Sequence, residues 1–248
     1  MMNQRTSKAI KVLSVTLMLA LSSSYSYSAS NINTISINHL AWSQLPATVQ
    51  KYYQTSSTLN KLKLNNKDIV AISSWVDATG TNYLVQLQRL DYAATFDSPA
   101  GEVISHLYNV DQATRRVWQI YDYVPCDLDV IARYTKETAV VTDINNNGVA
   151  EVSVPYYIGC RGDVSYDEMK IIMYEGKQKF AIRGNSAICD SKTGLPVDNT
   201  GYYGGDYKID EQLLQRAALS ASQKTVFREH LKSGWRDNQC SIYFKYDD

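Results

Sequence analysis

The chain has 248 residues, of which 25 are Lys or Arg and 25 are Asp or Glu, so its formal net charge is zero. A hydrophobic content of 44% and a charged content of 20% are typical of a globular protein. They exclude a disordered chain, a coiled coil and a protein with many membrane spans. The balanced charge argues against a nucleic-acid partner, because nucleic-acid-binding proteins usually carry an excess of basic residues. The composition is unusual in its 19 Tyr beside 4 Phe.

The first element along the chain is a targeting segment. Arg5, Lys8 and Lys11 precede the apolar run VLSVTLMLAL, and small residues follow as far as Ser30. This order is typical of a secretory signal peptide, and a run of about ten apolar residues is too short for a membrane-spanning helix. We expect residues 1–29 to be removed, leaving 30–248 as one periplasmic or secreted domain without a membrane span. Removal would change the net charge to about −3. The alternative is a buried helix of the folded protein.

The remaining elements follow from hydrophobic periodicity. A short helix is predicted from Ser43, a capping residue, to Gln54, with Pro46 in its first turn. From Asp68 onward the apolar residues alternate with a period of two, which indicates strands. The predicted strands are residues 69–72, 83–88, 103–108, 117–123, 128–134, 139–142, 152–157, 169–174 and 179–183.

The final third of the chain is predicted to be helical. Asp210 can cap one helix, and an apolar stripe at helical spacing runs from Val226 to Trp235 and includes His230. The whole pattern predicts an α+β fold. Its antiparallel β-sheet meander has about seven to nine strands, with a short N-terminal helix and C-terminal helices.

Four cysteines occur after the predicted signal peptide, namely Cys126, Cys160, Cys189 and Cys240. An even number of cysteines in an exported chain favours disulfides, and the spacing of Cys and His does not match a zinc site. Three pairings are open. We favour Cys126 with Cys160 and Cys189 with Cys240, because the first two end strand-like segments that flank one hairpin.

An acidic and amide-rich loop lies between two predicted strands, in the sequence DINNNGVAE. Oxygen-bearing side chains recur at Asp143, Asn145, Asn147 and Glu151, and Val149 can offer its carbonyl group. This spacing is typical of a loop that wraps oxygens around Ca²⁺. The loop is similar to the calcium loops of FG-GAP-type repeats, although Asn replaces the usual Asp at two positions, which predicts weak binding. The alternative is a metal-free hairpin turn, for which Asn-Gly is a strong signal.

The segment that follows carries a second resemblance. It contains CRGDVS at 160–165, MKIIMYE at 169–175 and AIRG at 181–184. With the upstream loop, these motifs resemble a family of exported bacterial proteins of unknown activity, some of which are labelled as surface polysaccharide biosynthesis proteins. The resemblance covers about residues 118–184 and a helix ending near Trp235. It implies that Cys126 and Cys160 are the two cysteines of that family and that the other two are additional.

The sequence contains no serine-hydrolase elbow, zinc-protease motif or phosphate-binding loop. Tyrosines are paired at 52–53, 156–157 and 202–203. Such pairs suit stacking against sugars or a partner surface, and the alternative is that Tyr replaces Phe in a sheet with one solvent-facing side. The candidate binding residues are therefore Tyr156 and Tyr157, together with Arg161 and Asp163, although Arg161 and Asp163 also suit a role in fixing the strand end. We expect a non-enzymatic envelope protein that binds a glycan or an envelope protein. The alternative is an enzyme or accessory factor that acts on cell-surface polysaccharide.

Overall fold

The structure is a computed structural model of the chain. It describes residues 33–55, 66–90, 99–111, 115–135, 139–163, 165–197 and 204–244. The predicted signal peptide lies outside these residues, as do Tyr202 and Tyr203. Within the described ranges, no helix is both long and apolar enough to cross a membrane.

The strands form sheets of seven, five and two strands. The five-stranded sheet is an antiparallel meander of β2 (Asn38–His39), β3 (Ile69–Asp77), β4 (Gly80–Leu90), β5 (Pro99–Asn109) and β6 (Arg115–Pro125). The seven-stranded sheet contains β1 (Asn33–Thr34), β7 (Asp129–Tyr134), β8 (Val140–Asp143), β9 (Glu151–Arg161), β10 (Glu168–Glu175), β11 (Gln178–Asn185) and β13 (Tyr207–Ile209). The two-stranded sheet pairs β12 (Ala187–Asp190) with β14 (Cys240–Phe244) in parallel.

The helices are α1 (Ala47–Thr55), α2 (Glu211–Arg216) and α3 (Ala221–Asn238). Asp210 caps α2 as predicted, because its side chain accepts a hydrogen bond from the backbone N–H of Leu213. Ser220 and Gln223 form a capping box at the start of α3. The predicted α+β fold class is therefore confirmed, with more strands than the seven to nine that were expected.

The core has two layers of sheet, with a helix on each outer side. Between the sheets, Trp75, Leu84 and Val103 belong to the same buried cluster as Val154 and Ile172. Alternate residues of each strand point the other way, as the pleat requires. The second face of the five-stranded sheet is therefore free to pack against α1, and that of the seven-stranded sheet against α3.

These outer contacts are also apolar and buried. Val49 of α1 packs in a cluster with Val85 and Ile104 of the five-stranded sheet. Phe227 and Trp235 of α3 pack with the alternate residues of β10, such as Met169, Ile171 and Met173. Because both faces of β10 are covered, its apolar residues are nearly continuous along the strand.

Two disulfides have the favoured pairing. Cys126 joins Cys160 with a Cα–Cα distance of 5.3 Å, and Cys189 joins Cys240 at 5.6 Å. The first ties the segment before β7 to the far end of β9. The second ties β12 to β14.

Candidate functional site

The predicted calcium loop connects β8 to β9. Asp143 is the last residue of β8 and Glu151 is the first residue of β9. Between them, Asn146 has a φ of 56° and Gly148 a φ of 82°. This left-handed conformation favours Asn and Gly over other residues, which explains why the loop is rich in both.

Side chains of the loop satisfy its own backbone. Asp143 accepts hydrogen bonds from the N–H groups of Asn147 and Gly148, each at 3.0 Å. Asn145 Oδ1 accepts from the N–H of Asn147 at 3.2 Å, and Asn147 Oδ1 accepts from the N–H of Val149 at 2.7 Å. These contacts stabilise the turn without a metal ion, as the alternative interpretation expects.

Glu175 is a third carboxylate at this loop. It lies at the end of β10, directly opposite Glu151 in the register of β9 and β10. Its Oε1 accepts hydrogen bonds from the side-chain amides of Asn145 at 2.6 Å and of Asn147 at 2.7 Å. The loop spacing alone did not indicate Glu175, because only the pairing of the two strands brings it to the loop.

Glu151 is fully buried beneath the loop. Its Oε2 accepts a hydrogen bond from the N–H of Ile144 at 2.7 Å, whereas its Oε1 has no hydrogen-bond partner among the described residues. Burial raises the pKa of Glu151 to about 8, and the nearby carboxylates of Glu175 and Asp143 contribute in the same direction. The loop therefore concentrates negative charge around a poorly hydrated carboxyl group.

The carboxylate and amide oxygens of the loop are ligands that a hard cation prefers, but the carboxylates alone are too few. In the part of the chain that the structure describes, no three His, Cys, Asp or Glu side chains are grouped so that they could hold a metal ion. Amide and main-chain oxygens would have to supply further ligands. Ca²⁺ accepts such oxygens, whereas Zn²⁺ and most transition metals favour nitrogen and sulfur.

A polar cleft of about 270 Å³ lies where β6 meets the end of β9 and the start of β10. Its walls carry charged and aromatic side chains, among them Asp122, Tyr123, Arg161, Tyr166, Glu168 and Lys170. Arg161 is one of the candidate binding residues from the sequence. Glu168 and Lys170 follow Arg161 closely along the chain, whereas Asp122 comes from β6 and joins them only through the fold.

A charged cluster surrounds Lys170 in the cleft. The Lys170 ammonium lies 2.7 Å from Asp122 Oδ2 and 3.2 Å from Glu168 Oε1. Tyr156 also donates its hydroxyl to Asp122 Oδ2 at 3.0 Å. The cluster thus holds two carboxylates on one ammonium, and Glu168 is half-exposed, with 50% of its side chain accessible.

Arg161 organises the other side of the cleft. Its guanidinium lies 3.2 Å from Asp167 Oδ1 and donates to the carbonyl of Ser165 at 2.8 Å. Asp167 is only 1% exposed, and burial raises its pKa, although Arg161 and Arg133 oppose the shift. A buried carboxyl group beside the cleft is therefore easier to protonate than a surface carboxylate.

Asp163 stabilises its own turn. Its carboxylate accepts hydrogen bonds from the N–H of Ser165 at 2.9 Å and from the Ser165 hydroxyl. These bonds lower the pKa of Asp163. Since Arg161 is paired with Asp167, both charged ends of the Arg-Gly-Asp tripeptide are engaged within the protein. Val164 lies outside the described residues.

The paired tyrosines of β9 are buried and offer no stacking face. Tyr156 is 2% exposed and Tyr157 is 3% exposed. Tyr157 donates its hydroxyl to the carbonyl of Asn238, and the guanidinium of Arg133 lies 4.6 Å from its ring centroid. Tyr156 reaches the cleft only through its bond to Asp122. The exposed Tyr166 lines the cleft instead.

A second cavity lies between the sheets beside the β8–β9 loop. It has a volume of about 90 Å³, and its walls include Trp75, Trp118 and Tyr174. An engineered cavity that binds benzene is larger, at about 150 Å³. This apolar cavity is therefore too small for a sugar, and the polar cleft is the better ligand site.

Comparison with known proteins gives no match: no protein-family model, no curated protein and no solved structure is similar to this chain. The resemblance to exported bacterial proteins stays a prediction. Functional conclusions therefore depend on the chemistry of the loop and the cleft.

Proposed function

We propose that the chain is an exported, non-enzymatic envelope protein that binds a neutral cell-surface glycan in the polar cleft. The observation that carries this proposal is the presence of the exposed Tyr166 beside carboxylates and an ammonium in one cavity of about 270 Å³. Two disulfides support export, because disulfides persist in oxidising compartments.

The polar groups suit the hydroxyls of a sugar. Carboxylates such as Asp122 and Glu168 accept hydrogen bonds, and Lys170 donates them. The exposed ring of Tyr166, at 36%, can pack against the apolar face of a sugar ring. A few oriented polar groups beside aromatic walls are the usual make-up of a small-ligand site.

The charges favour a neutral glycan over an anionic one. Both basic groups in the cleft are already neutralised, since Lys170 contacts Asp122 and Glu168, and Arg161 contacts Asp167. An added carboxylate or phosphate would face three acidic side chains and would have to displace one of them from its cation.

Substitution of Lys170 tests the proposal. We expect the exported protein to bind members of an array of neutral bacterial oligosaccharides, and K170M to weaken that binding about tenfold or more, since it removes a charged hydrogen-bond donor. K232M is the matched control, because Lys232 lies on α3 and contacts Glu229 outside the cleft. A thermal melt of each variant checks folding.

Two results would overturn the proposal: binding to no neutral glycan, or equal binding by K170M in a folded state. A preference for anionic glycans would contradict the charge argument. The same array also detects shortened oligosaccharides by mass spectrometry. Cleavage would favour the alternative, an enzyme acting on polysaccharide, for which the raised pKa of the buried Asp167 is the relevant observation.

We further propose that the β8–β9 loop binds Ca²⁺ weakly, as a structural ion. Asp143, Asn145, Asn147, Val149 and Glu151 are the proposed ligands, and the nearby carboxylate of Glu175 adds negative charge. The support is the buried Oε1 of Glu151, which has no partner among the described residues, together with the two neighbouring acidic groups. A divalent cation would compensate this concentration of negative charge.

A further inference from the structure

We propose that Ser241 of β14 is a positioning residue for the glycan site: together with Ser186 it fixes Asp167, and Asp167 orients the Arg161 guanidinium in the cleft wall. The cleft itself is lined by β6, by the end of β9, by the start of β10 and by the connection between β9 and β10. Ser241 therefore acts from behind the wall. This inference rests on the proposed function, because it concerns the same site, and it adds control of that site by β14.

Asp167 is the buried residue of the cleft wall through which this control acts. Its side chain is 1% exposed, and its Oδ1 lies 3.2 Å from the Arg161 guanidinium. A Cβ atom at Gly159, on the neighbouring β9, would lie 3.2 Å from the same oxygen, so glycine leaves the room that the carboxylate needs. If the carboxylate moved from this place, the ion pair that orients Arg161 in the cleft would be broken.

Two serines hold Asp167 from behind the cleft. Ser186 Oγ accepts a hydrogen bond from the N–H of Asp167 at 2.9 Å, and the N–H of Ser186 donates to the carbonyl of Asp167 at 2.8 Å. The hydroxyls of Ser186 and Ser241 are hydrogen-bonded to each other, and the Ser241 hydroxyl also interacts with the Asp167 carboxylate. A carboxylate only accepts, so Ser241 donates to it and accepts from Ser186. The three residues thus form one closed hydrogen-bonded group.

A β-bulge aims Ser241 at this group. In the parallel register of β12 and β14, residues 187 and 188 pair with residues 240 and 242, so Ser241 is the extra residue of the bulge. Bulges redirect a side chain out of the regular alternation, and they are frequent beside functional sites. The strand is fixed at this point, because Cys240 is disulfide-bonded to β12 and Arg133 donates to the carbonyl of Ser241 at 3.2 Å.

The charges around Asp167 give this contact a pH-dependent signature. Burial raises the pKa of Asp167, whereas Arg161 of β9 and Arg133 of β7 lower it. The Ser241 hydroxyl also lowers it, and Tyr157 of β9 is a further titratable group nearby. Only ionised Asp167 pairs with Arg161, so glycan affinity should fall as the pH falls through the pKa of Asp167. Without the Ser241 hydroxyl, that fall should occur at a higher pH.

Substitution of Ser241 tests this inference. The probes are linear hexasaccharides of glucose, mannose and N-acetylglucosamine, titrated by calorimetry from acid to neutral pH. We expect at least one to bind the wild type, and S241A to weaken that binding about fivefold, as the loss of one hydrogen bond does. S241A should also move the acid-side loss of affinity to higher pH. S222A is the matched control, because Ser222 lies on the exposed first turn of α3.

S241T and S241V form a second pair, since they have nearly the same shape and differ in the hydroxyl. S241T should keep the affinity and the pH profile of the wild type, and S241V should behave as S241A does. The carbon-13 NMR shift of the Asp167 carboxyl measures the contact without any glycan. Its titration should give a higher pKa in S241A and S241V than in the wild type, S241T and S222A.

The outcomes separate this inference from the glycan proposal. If K170M weakens binding while S241A and S241V leave the affinity or its pH profile unchanged, Ser241 is not a positioning residue and the glycan site stands. An unchanged pKa of Asp167 in both variants would overturn the inference in the same way. If no hexasaccharide and no member of the array binds the wild type, the glycan proposal and this inference are both wrong.

Discussion

Glu151 shows how one side chain links the fold to the proposed ion site. It begins β9, is fully buried, and faces the carboxylates of Glu175 and Asp143. Burial raises its pKa to about 8, so at neutral pH the protonated form predominates when no cation is bound. The same residue that would bind Ca²⁺ as an anion thus stabilises the metal-free fold as a neutral acid.

This predicts a pH dependence of stability with a definite sign. The pKa of Glu151 is higher in the folded state than its ordinary value of 4.5, so the folded state binds more protons over the window from 4.5 to about 8. The stabilisation that protonated Glu151 contributes is complete below that window and is lost as the pH rises through it. The loss is at most about 1.4 kcal/mol for each unit by which the folded and unfolded pKa values differ.

Chemical denaturation in the presence of a chelator measures this effect. From about pH 5 to about pH 8, we expect the free energy of unfolding of the wild type to fall relative to that of E151Q. The variant carries a neutral amide of similar shape, so it should lack this component of the pH dependence. Parallel curves for the two proteins would show that Glu151 does not have the raised pKa.

At the scale of elements, the sequence predicts the helices and strands that are long enough to show a hydrophobic period. The apolar stripe of α3 and the alternating strands around Trp118 and Val154 were found because each lies within a few residues of chain. The strands β1, β2 and β13 have only two or three residues, too few to show a period. The parallel pairing of β12 with β14 joins segments about 50 residues apart, which no local pattern reports.

The two candidate sites also differ in how far they could be predicted from local sequence. The predicted calcium loop is one contiguous segment, so its residues could be proposed from spacing. The cleft brings together Asp122, Arg161 and Lys170 from three strands, and its composition depends on how two sheets meet. A sheet with one solvent-facing side would bury only one of the neighbours Tyr156 and Tyr157. Both are buried, because β9 is covered on both faces.

The disulfide between β12 and β14 should stabilise the C-terminal element in particular. β14 pairs only with β12 among the described strands, so the Cys189–Cys240 bond is a major link for it. For a loop defined by a sequence separation of 51, the chain-entropy model gives a stabilisation of about 4 kcal/mol. We expect the double variant C189A/C240A to have a free energy of unfolding lower by about this amount, and therefore a lower unfolding temperature.

Hydrogen exchange can locate the effect. In C189A/C240A, the amides of residues 240–244 should exchange faster, whereas those of β4 and β5 should keep their relative order of protection. C126A/C160A is the comparison, because β7 and β9 remain paired by backbone hydrogen bonds across six residue pairs. Equal loss of protection in all three sheets would contradict a local role for the second disulfide.

At the scale of the whole molecule, Ca²⁺ should stabilise the fold by mass action. The β8–β9 loop also contacts the β3–β4 turn: the N–H of Ala78 donates to the carbonyl of Gly148 at 2.7 Å, and the N–H of Ala150 donates to Asp77 Oδ2 at 3.1 Å. An ion that fixes this loop would therefore bind the folded state at a point where both large sheets meet, and unfolding would release it.

A thermal melt tests this prediction. At millimolar Ca²⁺ we expect the unfolding midpoint to rise relative to a chelator, and the rise to grow with pH through about 8, because the ion requires the ionised form of Glu151. A site with a dissociation constant near 1 mM gains about 1.4 kcal/mol at about 10 mM Ca²⁺. Mg²⁺ should have a smaller effect, since it demands a more rigid octahedral site.

D143N should abolish the response, while D163N, altered in a separate turn, should retain it. Identical midpoints with Ca²⁺ and chelator at every pH would show that the loop is a metal-free turn.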